Sequence, residues 1–133
     1  MNKSVIISRL LWIIPAVTIV LSMMFHSQSE HFRDWPFFVS ESDHSGLSSL
    51  IFTAGFMLSG ISLGVASWMM WAHEETITQN SIENISRISG ILSGICLCGL
   101  AVFDMYAFTL VHVIFASTLF CTGCVWMFTT YKA

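Results

Sequence analysis

Four long apolar runs divide this chain, and they leave few folds open to it. They cover about residues 5–25, 47–71, 88–103 and 107–128. Each is near the about 20 residues that a helix needs to cross the hydrocarbon core of a bilayer. Such a run can satisfy its own backbone in lipid only as a helix. Composition agrees: 55% of the 133 residues are hydrophobic and 10% are charged. Soluble domains carry roughly a quarter charged residues, so this chain cannot cover a soluble surface. The expected fold is all-α: one polytopic membrane domain over residues 1–133, with four transmembrane helices in a bundle. A polar loop at about 26–46 separates the first two helices.

Charge sets further limits. Five Lys and Arg against eight Asp and Glu give a net charge of -3, which excludes a nucleic-acid binder relying on a basic stripe. With four spans, Lys3, Arg9, Arg87 and Lys132 share one side of the membrane and Arg33 stands alone on the other. That split predicts both termini in the cytosol and the 26–46 loop outside or lumenal. The Asn84-Ile85-Ser86 sequon then faces the cytosol, and no glycan is expected on it. Trp12, Trp68, Trp71, Trp126 and Tyr131 lie towards run ends, as an interfacial aromatic belt does. Lys3 and Arg9 precede the first run as in a signal peptide. No small-x-small cleavage site follows it, so it is expected to remain as the first helix.

Gly60-x-x-x-Gly64 and Gly90-x-x-x-Gly94 each put two glycines on one helix face. In lipid such faces let backbones approach closely, so these four glycines are the expected packing positions. The third run is short and rich in Ser and Gly, which predicts burial among its neighbours. Asp104-Met105-Tyr106 joins the last two runs as a short hairpin, and Asp104 can cap the fourth helix.

Cys96, Cys98, Cys121 and Cys124 all fall in apolar runs. There they read as small packing residues, with a disulfide or metal link between the two pairs as the alternative. His112 is an ionisable residue inside a span, which marks a functional position by default. The structural alternative is a neutral imidazole hydrogen-bonded to a Ser, a Thr or a carbonyl of a neighbouring helix. No second His lies at matching depth in another span, against haem ligation. The loop offers His26, His31, Asp34, Ser40, Glu41, Asp43 and His44, yet no recognised metal or nucleophile spacing. It reads as a solvated polar loop, with a metal or catalytic site and a pH-responsive loop as alternatives. His73-Glu74-Glu75 reads as a helix end with solvated charges. No catalytic residue, metal or cofactor is expected.

The order of features resembles the DRAM/Frag/Sfk family of multi-pass membrane proteins, the damage-regulated autophagy modulators and their relatives. Pro36-Phe37-Phe38-Val39-Ser40-Glu41-Ser42-Asp43 is similar to that family's loop motif, with one extra aromatic. Ser48-Ser49-Leu50-Ile51-Phe52 looks like its entry into the next helix. Gly90, Gly94, Gly99-Leu100 and Phe103 look like its spaced glycines, and His112-Val113 with Ala116 like its last motif. The likeness runs over about residues 10–131. The family usually has five or six spans, so the chain is expected to be a form shortened to four. The resemblance implies a non-enzymatic role in autophagy and lysosomal or endosomal membranes, or in plasma-membrane lipid organisation. GPI-anchor lipid remodelling is a second implication, and a structural subunit of a larger membrane complex is a third reading. The expected partners are membrane lipids, with a membrane protein or a second copy of the chain.

Overall fold

The computed structural model describes residues 3–29, 38–43, 46–72 and 81–132. Four α-helices and one short 3-10 helix form in this order: α1 (Lys3–His26), η1 (Val39–Asp43), α2 (Gly46–Ala72), α3 (Ser81–Val102) and α4 (Thr109–Lys132). No strand occurs among the described residues, and the chain is an all-α bundle. Three helices, α2, α3 and α4, are long and apolar enough to cross a membrane. The remaining one, α1, has 24 residues and carries Pro15 in its interior. Its described apolar part is Ile13–His26.

What lies inside the bundle and what lies outside follow the logic of a lipid solvent. Ser22, Ser42, Ser67, Ser86 and Ser93 are almost fully buried. Leu110, Phe120 and Phe128 are each more than two-thirds exposed, at 74%, 76% and 69%. In water that arrangement would leave large apolar surface wet. In hydrocarbon, leucine gains nothing by leaving the lipid, so small residues and hydroxyls take the helix contacts. This inversion and the three spanning helices are what an integral membrane protein requires.

Consecutive helices pack on each other, α1 on α2, α2 on α3 and α3 on α4, while no contact between α1 and α4 occurs among the described residues. An apolar cleft of about 430 Å³ lies between them, lined by Leu11 and Pro15 of α1 and by Leu119, Phe120 and Gly123 of α4. Between α2 and α3, backbone meets backbone at two glycines. A Cβ on Gly94 would lie 2.6 Å from the Gly60 carbonyl oxygen and 3.0 Å from the Gly64 amide nitrogen. A Cβ on Gly60 would lie 2.6 Å from the Gly94 oxygen, so each glycine is pressed on the other's backbone. Gly64 is different: a Cβ there would meet nothing within 4 Å. Gly90 lies against Ser67 and Trp126, linking α3 to both neighbours. The α3–α4 seam is joined by hydroxyls, with Ser86 Oγ 2.8 Å from Thr130 Oγ1 and Ser93 Oγ donating to Thr122 Oγ1 at 2.8 Å. Ser86 of the Asn84-Ile85-Ser86 sequon is therefore buried in a helix contact.

Two helix starts differ from the sequence expectation. The third helix begins at Ser81 rather than near Ile88, because its polar first turns turn Ser86 and Ser89 inward. Ser89 Oγ donates to its own helix at Ser86 O, 3.0 Å. The fourth begins at Thr109 rather than near Ala107. Asp104 accepts from the amides of Tyr106 at 2.6 Å and Ala107 at 3.2 Å, holding them in the turn before the helix. The cysteines all carry free thiols: Cys96 is buried, whereas Cys121 and Cys124 are exposed on α4 rather than packed inside. Arg87 of α3 stands 5.8 Å from the ring centroid of Trp68 on α2, a cation–π pair.

Candidate functional site

Polar groups gather where η1 meets the bundle, at the end that also carries the α3–α4 turn. Gly46 opens α2 with a φ of 72°, a left-handed conformation that glycine adopts without strain. The segment before it is fastened on three sides. Towards α1, Ser42 Oγ lies 3.2 Å from Ser22 Oγ and donates to Val39 O at 2.6 Å. Towards α2, Asp43 Oδ1 accepts from Ser49 Oγ at 2.9 Å and from Thr53 Oγ1 at 3.4 Å. Towards the α3–α4 turn, Ser40 Oγ donates to Met105 Sδ at 2.9 Å. Val39 adds an apolar foot against the stacked rings of Phe52 and Phe56, whose centroids are 4.4 Å apart.

The expectation of a solvated loop fails for this stretch. Glu41, Ser42 and Asp43 are 5%, 0% and 4% exposed. A buried polar group costs free energy unless it is hydrogen-bonded, and hydroxyls from two helices supply the bonds for Ser42 and Asp43. Burial pushes the Asp43 carboxyl above its ordinary value. The hydrogen bonds from Ser49 and Thr53 and the His112 imidazole act against this, whereas the Asp104 carboxylate adds to it.

His112 closes the site from α4. It is 5% exposed, and its Nδ1 is 2.7 Å from the carbonyl oxygen of Phe103. A carbonyl can only accept, so Nδ1 carries the hydrogen in that bond. The ring thus ties the first turn of α4 back to the end of α3. It lies in the first turn of α4, which starts at Thr109, and so at the end of the bundle. His26 is buried at the matching end of α1, 2% exposed.

Of the residues singled out in the sequence, His26, Ser40, Glu41, Asp43, Phe103, Asp104 and His112 come to this end. Gly60, Gly64, Gly90 and Gly94 belong instead to the helix seams. Pro36 and Phe37, with His31, Asp34, His44 and His73-Glu74-Glu75, lie outside the described residues. Sequence reasoning missed Ser22 and Thr53, and it read Met105 only as part of the α3–α4 hairpin, not as the partner of Ser40. Ser49 and Thr53, four apart on one face near a helix start and just after an acidic residue, were the available signal. Among the described residues, no group of three or more His, Cys, Asp or Glu is placed to hold a metal ion. The arrangement anchors a loop segment and shelters a carboxyl group from water. No protein-family model, curated protein or solved structure matches the chain.

Proposed function

We propose that the chain is a non-enzymatic, DRAM-like multi-pass membrane protein that modulates autophagy through lysosomal or other endomembranes, or organises plasma-membrane lipids. In this reading it spans the membrane four times with both termini cytosolic. Membrane lipids surround it, and a membrane protein or a second copy is its partner. One observation carries the reading. Motif pieces far apart in the chain, Ser40–Asp43, Phe103 and His112, meet at one end of the bundle through Met105, Asp104 and the Phe103 carbonyl. A motif that only filled lipid-facing surface would have no reason to converge.

The test is to localise a tagged copy and follow autophagic flux and membrane lipid composition after deletion. Enrichment in endolysosomal or plasma membrane, with a change in flux or lipids that an Asp43→Ala copy fails to restore, supports the reading. A copy recovered elsewhere, only at fixed stoichiometry with other membrane subunits, sinks it. That outcome would favour an accessory subunit. The second reading draws on α4, the least buried of the three spanning helices.

A further inference from the structure

We propose that the seating of η1 on the bundle is a proton-linked clasp, in which the buried Asp43 side chain takes up a proton as the segment docks and gives it up as the segment leaves. The inference needs no organelle, lipid or partner, and so goes beyond the functional reading above.

The geometry makes docking the step that changes Asp43's surroundings. Undocked, the carboxylate is hydrated. Docked, it is 4% exposed, with the hydroxyls of Ser49 and Thr53 as its hydrogen-bond donors, the second at a long 3.4 Å. Two hydroxyls replace a full hydration shell poorly, and low polarity around a carboxyl favours its neutral form. The elements packed around it bring these titratable groups to the same end: His26 from α1, Glu41 on η1 itself, Asp104 from the α3–α4 turn and His112 from α4. From α2 come only hydroxyls. Asp104 disfavours a second negative charge, and it is fixed in place by the amides of Tyr106 and Ala107. The His112 imidazole opposes that effect, though its Nδ1–H is committed to the Phe103 carbonyl. The balance is a carboxyl raised above its ordinary value, with burial as the main cause.

The direction follows from linkage. The docked state binds more protons at Asp43 than the undocked state, so acid favours docking and rising pH loosens it. One proton of difference changes the docked-to-undocked ratio by at most about tenfold per pH unit. The response lies between the ordinary carboxyl value, about 4, and the raised value of the docked state. The contacts of the segment to Ser22, Met105 and the Phe52–Phe56 stack involve no titratable group. They hold the segment near its seat while Asp43 responds.

Hydrogen exchange of the full chain in lipid nanodiscs tests this. Protection factors of the η1 amides, each corrected for the intrinsic rate at its pH, are compared at about pH 4.5 and pH 7.5. Protection severalfold lower at pH 7.5 is expected in the wild-type chain, with the amides of α3 unchanged. Asp43→Asn, which imitates the protonated form, should keep high protection at both values. Asp104→Asn should shrink the response while leaving the segment docked, and it decides the matter if Asp43→Asn does not fold. Equal wild-type protection at both values overturns the clasp. So does a parallel change in α3, or a full response in either variant.

Discussion

Adding one methyl group at Gly94 should separate the two packed helices at the centre of the bundle. In Gly94→Ala the new Cβ would stand 2.6 Å from the Gly60 oxygen, 3.0 Å from the Gly64 nitrogen and 3.2 Å from the Gly64 Cα. All three atoms are backbone, so no side chain can rotate away, and α2 must move as a body. Overpacking of this kind costs about 1–3 kcal/mol. Replacing a mid-helix glycine returns at most about 1 kcal/mol through helix propensity. With all three contacts to backbone the cost falls in the upper part of that range, about 2–3 kcal/mol, so the net expectation for Gly94→Ala is a loss of about 1–2 kcal/mol. Gly64→Ala is the matched control, because a Cβ there would meet nothing within 4 Å. It should be neutral or slightly stabilising. Reversible unfolding in mixed detergent micelles measures both. Equal shifts in the two variants, or a Gly94→Ala chain as stable as the wild type, would refute the close-approach argument.

Three further outcomes are expected. His112→Leu, which strips the donor from the Phe103 carbonyl, should cost about 1–3 kcal/mol, and His112→Gln should recover part of it; equal losses on unfolding would contradict the hydrogen-bond role. Ser67 Oγ is buried without a hydrogen-bond partner among the described residues, so Ser67→Ala should leave the thermal midpoint in detergent unchanged or raise it. Asp43 has a raised carboxyl in the folded chain, so its contribution is complete below about pH 4, the ordinary carboxyl value, and fades as pH rises through the folded value. The stability difference between the wild type and Asp43→Asn should therefore change across that window in favour of the variant; a difference constant with pH would contradict the burial of the carboxyl.

Apolar run length was enough to read the helices, because a membrane-crossing helix announces itself by length and by lack of charge. It failed at the edges for physical reasons. Ser86 and Ser89 look like loop residues on a hydropathy scale, yet in lipid a hydroxyl facing another helix is a contact, so α3 starts earlier than its apolar run. Glycine spacing marked Gly60 and Gly94 but could not tell them from Gly64, whose Cβ direction points into open space. The polar end was legible only in part. His112 stood out as an ionisable residue in a span, whereas Asp43 looked solvated. Its burial depends on hydroxyls six and ten residues later in the chain and on a turn contributed by two other helices. No local pattern encodes that meeting.

The docking of the loop segment on the α3–α4 turn is the contact on which the candidate site rests, and a short-span thiol cross-link tests it most directly. Ser40 Oγ lies 2.9 Å from Met105 Sδ, across 65 residues of sequence. In a chain whose four native cysteines are replaced, Ser40→Cys and Met105→Cys are introduced together and treated in native membranes with a short bifunctional thiol cross-linker, which spans the gap left by the shorter cysteine side chain at 105. Mass spectrometry of the digested protein then looks for the linked pair of peptides. The account predicts that this pair forms readily, and that Ser40→Cys paired with a cysteine at Thr130, on the far end of α4, does not link. No link between positions 40 and 105, or equal linking to both, would contradict it.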